Sequence, residues 1–183
     1  ILEATCEILG QRGLAATRIA DVARRLGIST GRIHYHFATK DELLDEAFRY
    51  AAKAELAVLR GLAAVDLPPR ERLDAVIEEF RPRGDFGSWK LWIEGWAEAL
   101  RSERFRATSR ELDEAWIGVS EDTIAAGVAS GDFTCASPHD SAWRLSCLIE
   151  GLTIQLVAHG GTIDRTEMGR LIDAAVSAEI SSG

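Results

Sequence analysis

The chain has 183 residues, with 29 acidic and 21 basic side chains and a formal net charge of −8. That length holds one good-sized domain, or a small domain beside a larger one. Its hydrophobic fraction of 46% is ordinary for a globular protein. No apolar run approaches the ~18 residues of a membrane span, so no membrane partner is expected. Apolar spacings of three and four dominate, and no segment alternates as a strand would. Ile1, Leu2, Ile8 and Leu9 mark a first helix already under way at Ile1, which leaves open whether an arm precedes it; Gly10 to Gly13 end it. Thr17 is expected to cap a second helix and Ser29 a third, each hydroxyl accepting a first-turn N–H. Thr39-Lys40-Asp41-Glu42 has the form of a capping box and opens a long fourth helix to about Ala63. Pro68-Pro69 start a fifth helix, and Pro82-Arg83-Gly84 break it. A sixth spans about Phe86 to Leu100, and a seventh about Glu103 to Ser130. Ser137-Pro138 open an eighth helix to about Val157, and Asp164 to Glu167 open a ninth to about Ile180. Nine helices without a strand predict an all-α protein.

Residues 16–44 read ATRIADVARRLGISTGRIHYHFATKDELL, and their spacing is that of a helix-turn-helix. Ala23 is small where two helices must cross. Gly27 follows where the chain leaves the first of them and must turn left-handed. Ile33 is placed to plug a small core, with Ile19, Leu26, Ile28 and Phe37 around it. The outward residues of the second helix are Ser29, Thr30, Gly31, Arg32, His34 and Tyr35. They are short, polar or aromatic, as a helix entering a DNA major groove requires.

This stretch resembles the DNA-binding domain of the TetR family of transcriptional regulators. The resemblance rests on T-R-I-A-D-V-A at Thr17 to Ala23, G-I-S-T-G at Gly27 to Gly31, and Y-H-F-A-T-K-D-E-L-L at Tyr35 to Leu44. It implies a three-helix DNA-binding domain over residues 1–45 and a helical effector-binding and dimerisation domain over 46–183. It also implies DNA contacts from Ser29 to His36, within which His36 could instead face the fourth helix and Tyr35 could be a packing residue. The segments W-I-E-G-W-A-E-A-L at Trp92 to Leu100 and L-I-E-G-L-T-I-Q-L at Leu148 to Leu156 resemble the BetI-type branch of the family.

The first forty residues carry six basic side chains against three acids, so a basic end belongs to an otherwise acidic chain. Arg32 suits guanine O6 and N7 or a phosphate. Lys40, at the start of a helix, suits a phosphate, and Thr17 and Arg18 could act likewise at the second helix. His34 and His36 lack a third ligand at metal spacing, so no metal is expected. Cys6, Cys135 and Cys147 are too far apart for a ligand set and read as reduced thiols of a cytoplasmic protein.

Trp89, Trp92 and Trp96 fall on one face of the sixth helix, and Trp116 and Trp143 add rings from later helices. Such a stripe is either packed core or the wall of an apolar effector pocket. Indole faces can also hold a cation, and the BetI-type resemblance brings a quaternary ammonium into view. Glu94, Glu98 and Glu150 could balance its charge or simply be solvated. On the eighth and ninth helices, Leu145, Ile149, Leu152 and Leu156 form one apolar stripe and Leu171, Ile172 and Ala175 another. Two such stripes are expected to pair with those of a second chain as a homodimer.

No cofactor is called for, and no H-E-x-x-H, G-x-S-x-G or phosphate-binding glycine loop is present, so no catalytic residue is expected. The function expected is a ligand-responsive repressor that binds a double-stranded palindromic operator as a dimer and is released by a small-molecule effector. The contrasting reading is a helical small-molecule-binding protein or enzyme that does not bind DNA.

Overall fold

The computed structural model describes residues 1–84, 86–160 and 162–182. Its helices are α1 (Leu2–Ala16), α2 (Ile19–Leu26), α3 (Thr30–His34), α4 (Lys40–Ala63), α5 (Pro69–Phe80), α6 (Gly87–Ala99), α7 (Glu103–Ser130), α8 (Pro138–Ala158) and α9 (Arg165–Glu179). The all-α class and the helix order agree with the sequence pattern. A minor addition is a two-residue antiparallel ladder, in which β1 (Phe133–Thr134) pairs with β2 (Ser181–Ser182).

Most helix starts follow their capping residues. Ser29 accepts the Arg32 N–H, Ser137 that of Asp140 and Asp164 that of Glu167. Thr39 accepts the Glu42 N–H, and the Glu42 carboxylate accepts the Ala38 N–H in return. Thr17 is a correction. Arg18 is the N-cap of α2, without a side-chain cap, and the Thr17 hydroxyl donates backward to the Gly13 carbonyl at 2.7 Å. The end of α1 also differs from expectation. The helix runs through Gly10 and breaks only at Gly13, whose φ of 77° and ψ of 169° are non-helical.

The chain forms two packed units, Ile1–Glu55 with 85–112, and 56–84 with 113–183. In the first unit, Ile8, Val22, Ala23, Ile33 and Leu43 form a core joined by Ile1, Leu2, Ile19, Ile28 and Phe37. Leu26, expected there, is 37% exposed. A second nucleus of this unit surrounds Phe48, whose ring meets Trp92 edge-on at 5.2 Å and Phe105 at 6.0 Å. Gly95 lets α6 lie against that ring, since a Cβ there would stand 2.8 Å from Phe48 Cε2. The second unit buries Leu73, Val76, Ile77 and Phe80 of α5, Ile124 of α7, Ile149 of α8 and Ile172 of α9. Arg144 of α8 grips the Glu179 carboxylate of α9 with two bonds of 2.6 and 2.5 Å.

Gly95→Ala should therefore destabilise the fold by about 1–3 kcal/mol, because the fully buried Phe48 has nowhere to yield. Thermal unfolding checks this. Helix propensity alone favours alanine, so an unchanged or higher midpoint would contradict the close approach.

Candidate nucleic-acid interface and effector residues

The turn between α2 and α3 is built by Gly27 at φ 66° and ψ 30°. The Ile28 N–H then reaches back to the Ala23 carbonyl at 3.0 Å, closing the end of α2. α3 is only five residues long and ends sooner than His36. Ile33 is its buried side chain, and the others face outward. Ser29, Thr30, Gly31, Arg32, His34 and His36 are exposed. Tyr35 is 86% exposed, which removes the packing alternative for it. Its ring meets His36 edge-on at 5.1 Å, and Ser29, Arg32, Tyr35 and His36 line an open concavity.

Charge on this face is partly committed within the chain. Asp21 pairs with Arg12 at 3.1 Å and Arg24 at 3.0 Å, and Arg25 pairs with Glu7 at 2.8 Å. Exposed pairs of this kind contribute little to stability, but they leave those guanidinium groups partly neutralised. Arg18 and Arg32 are exposed and make no ion pair with the described residues. Lys40 is half-buried and donates to the Ala15 carbonyl at 3.3 Å, with two further N–H groups to spare. Thr17 is 1% exposed, so its hydroxyl is not presented to a phosphate; it holds the entry to α2.

The five tryptophans separate. Trp89, Trp92 and Trp96 form one cluster, Trp96 lying 6.2 Å from Trp89 and 6.0 Å from Trp92. Trp92 is buried and donates its indole N–H to Glu55 at 3.1 Å; the same carboxylate accepts from Ser88 at 2.5 Å. Trp89 and Trp96 are half-buried. Trp116 belongs to the other unit, edge-on to Phe80 at 4.9 Å. Trp143 is 41% exposed on α8.

The acids also separate. Glu98 pairs with Arg101 at 3.1 Å, and Glu94 accepts the Leu14 N–H. Glu150 is different. Burial, and then the carboxylate of Asp113, push its pKa from 4.5 to about 7. Thr153 lies one turn further along α8, wholly buried, and its hydroxyl has no bond among the described residues. Sequence reading passed over Asp113 and Thr153. The spacing of Glu150 and Thr153 on one helix face was visible, but Asp113 lies far from both in the chain.

The dimer stripes need correction in part. Leu145, Ile149 and Ile172 are fully buried within the single chain and form its own core, because α8 packs directly on α9. Leu152, Leu156, Leu171 and Ala175 are half-buried. The open face of α8 carries Trp143, Cys147 and Gly151 instead, and no other part of the described residues lies within 4 Å of where a Gly151 Cβ would be. No helix among the described residues is long and apolar enough to cross a membrane.

A capped two-helix turn on a small core, followed by a mainly helical body, is the architecture of a helix-turn-helix regulator. Residues 1–47 match the model of the bacterial regulatory proteins of the tetR family, and residues 69–181 match that of the BetI-type transcriptional repressor C-terminal region. The chain belongs to the TetR family, with a BetI-type C-terminal region, and is a ligand-responsive transcriptional regulator. It is 29% identical to the HTH-type transcriptional regulator BetI of Paraburkholderia xenovorans, over 90% of this chain and 83% of that one. It is 26% identical to the HTH-type transcriptional repressor KstR2 of Rhodococcus jostii, over 89% and 80%. A Saccharomonospora viridis protein described as a transcriptional regulator and solved in complex with choline superimposes with a TM-score of 0.88. It is 28% identical and covers 100% of this chain and 95% of its own.

The raised pKa of Glu150 has a testable sign. Between pH 4.5 and about 7 the unfolded chain has lost a proton that the folded chain keeps. Stability therefore falls as pH rises through that window, by at most about 1.4 kcal/mol per pH unit from this group. Asp45, also raised by burial, acts in the same direction at lower pH. Glu150→Gln should flatten the decline in thermal midpoint between pH 5 and 7. An equally steep decline in the variant would contradict the assignment.

Proposed function

We propose that the chain is a repressor whose dimer sets one α3 from each subunit into the major groove of a palindromic operator, and that a small organic cation releases it. Residues 1–45 serve DNA binding; residues 46–183 serve effector binding and dimerisation. The observation that carries the DNA reading is the exposure of Arg32 and Tyr35 on a helix anchored through Ile33. Arg32 reads guanine or grips a phosphate. Ser29, Thr30 and Gly31 are small enough to let the backbone approach the groove. His34, Tyr35 and His36 reach phosphates or a thymine methyl, and Arg18 and Lys40 neutralise phosphates at helix starts.

The effector reading rests on Glu150. A carboxylate held near neutrality by burial and by Asp113 gains most from a cation beside it. The choline held by the Saccharomonospora viridis protein is of that chemical class. Trp116 can supply a ring face in the same unit. For the dimer, the exposed α8 face of Trp143, Cys147 and Gly151 is the centre, with Leu152, Leu156, Leu171 and Ala175 beside it. This assigns Trp143 to the interface between subunits.

Fluorescence anisotropy with duplex DNA from upstream of the chain's own gene tests the whole reading. Arg32→Ala and Tyr35→Ala should each weaken binding about tenfold or more, the size of a lost base contact. Lys40→Ala should weaken binding to all sequences alike and reduce the salt slope by about one. Choline should weaken the wild-type complex and leave that of Glu150→Gln unchanged. Unaltered affinity in all three DNA-face variants would overturn the assignment of this surface.

A further inference from the structure

The break in α1 is occupied from outside the helix. Gly13 leaves the helical conformation, and the Leu14 N–H donates to the carboxylate of Glu94, in the middle of α6. Gly13 is the residue that makes room. A Cβ there would stand 2.8 Å from Glu94 Oε2 and 2.9 Å from its Cδ, and its φ of 77° disfavours any side chain. α1 also packs along α6.

The same short segment holds the DNA-reading elements from its other side. The Gly13 carbonyl accepts the Thr17 hydroxyl at 2.7 Å, just before α2. The Ala15 carbonyl accepts Lys40 at 3.3 Å, at the start of α4. Residues 13–17 are thus a joint, with the tryptophan helix on one side and the starts of α2 and α4 on the other. All of these contacts lie within one packed unit.

We propose that Glu94 is the positioning residue that couples α6 to the DNA-reading helices. It touches no DNA. It fixes Leu14, and through the carbonyls beside Leu14 it fixes where Thr17 and Lys40 stand. A shift of α6 that withdraws the carboxylate frees the joint, and DNA binding, which steadies the joint, must steady α6 in return. The proposal rests on the reading that α3 and Lys40 meet DNA.

Hydrogen exchange of the full chain, with and without duplex from upstream of its own gene, tests it. Without DNA, Glu94→Ala should speed exchange of the Leu14 amide about tenfold, as loss of one good hydrogen bond does. Glu94→Gln keeps an acceptor oxygen and should stay within about threefold of wild type. With DNA, residues 87–99 should exchange more slowly in wild type and in Glu94→Gln. In Glu94→Ala the slowing should be confined to α2 and α3. Glu94→Asp, one methylene shorter, should behave as the alanine variant does and serves if alanine unfolds. Unchanged Leu14 exchange, or slowing of 87–99 that survives in the alanine or aspartate variant, overturns the coupling alone. A wild-type chain that binds no duplex overturns the DNA reading and the coupling with it.

Discussion

A five-residue helix has no stability of its own, since isolated helices shorter than about 12 residues are marginal in water. α3 exists because its surroundings impose it. Ile33 is fully buried among Ile8, Val22, Ala23 and Leu43, Gly27 sets the turn before it, and Ser29 closes its first turn. Each of these devices acts on the inner side or the ends of the helix. The outward side chains of Thr30, Arg32, His34, Tyr35 and His36 are therefore under no such structural demand and are free to carry chemistry. An exposed tyrosine beside an exposed arginine contributes nothing evident to folding, which points to a functional role for both.

Much of this was legible in the sequence because it is local. Ser29, Thr39, Glu42, Ser137 and Asp164 act within three or four residues of themselves, so spacing alone reveals them. Thr17 has the same appearance as Ser29 but a different role, because a break four residues earlier offers its hydroxyl a carbonyl. The stripe of Leu145, Ile149 and Ile172 shows the limit of periodicity. It reveals that a face is apolar, not which neighbour covers it, and here α8 and α9 cover each other. The contacts hardest to foresee join residues far apart in the chain: Glu94 with Leu14, and Glu150 with Asp113.

The tryptophans illustrate the same point in another way. The sequence sets Trp89, Trp92 and Trp96 on one stripe, with Trp116 and Trp143 as rings from later helices; three gather on α6 around the Phe48 nucleus, one packs on Phe80 and one faces outward. The indole N–H of Trp92 explains part of this. A buried indole needs an acceptor, and Glu55 on α4 supplies it. Helix α6 is thereby tied to α4 through Glu55 and Gly95, and to α1 through Glu94.

In the proposed complex, two copies of α3 read one face of a duplex together. Hydroxyl-radical footprinting of the protein on DNA from upstream of its own gene tests this most directly. Two protected patches should appear on one face of the duplex, related by two-fold symmetry and about 34–36 Å apart or a multiple of that. A single unpaired patch, or uniform protection without register, would contradict it.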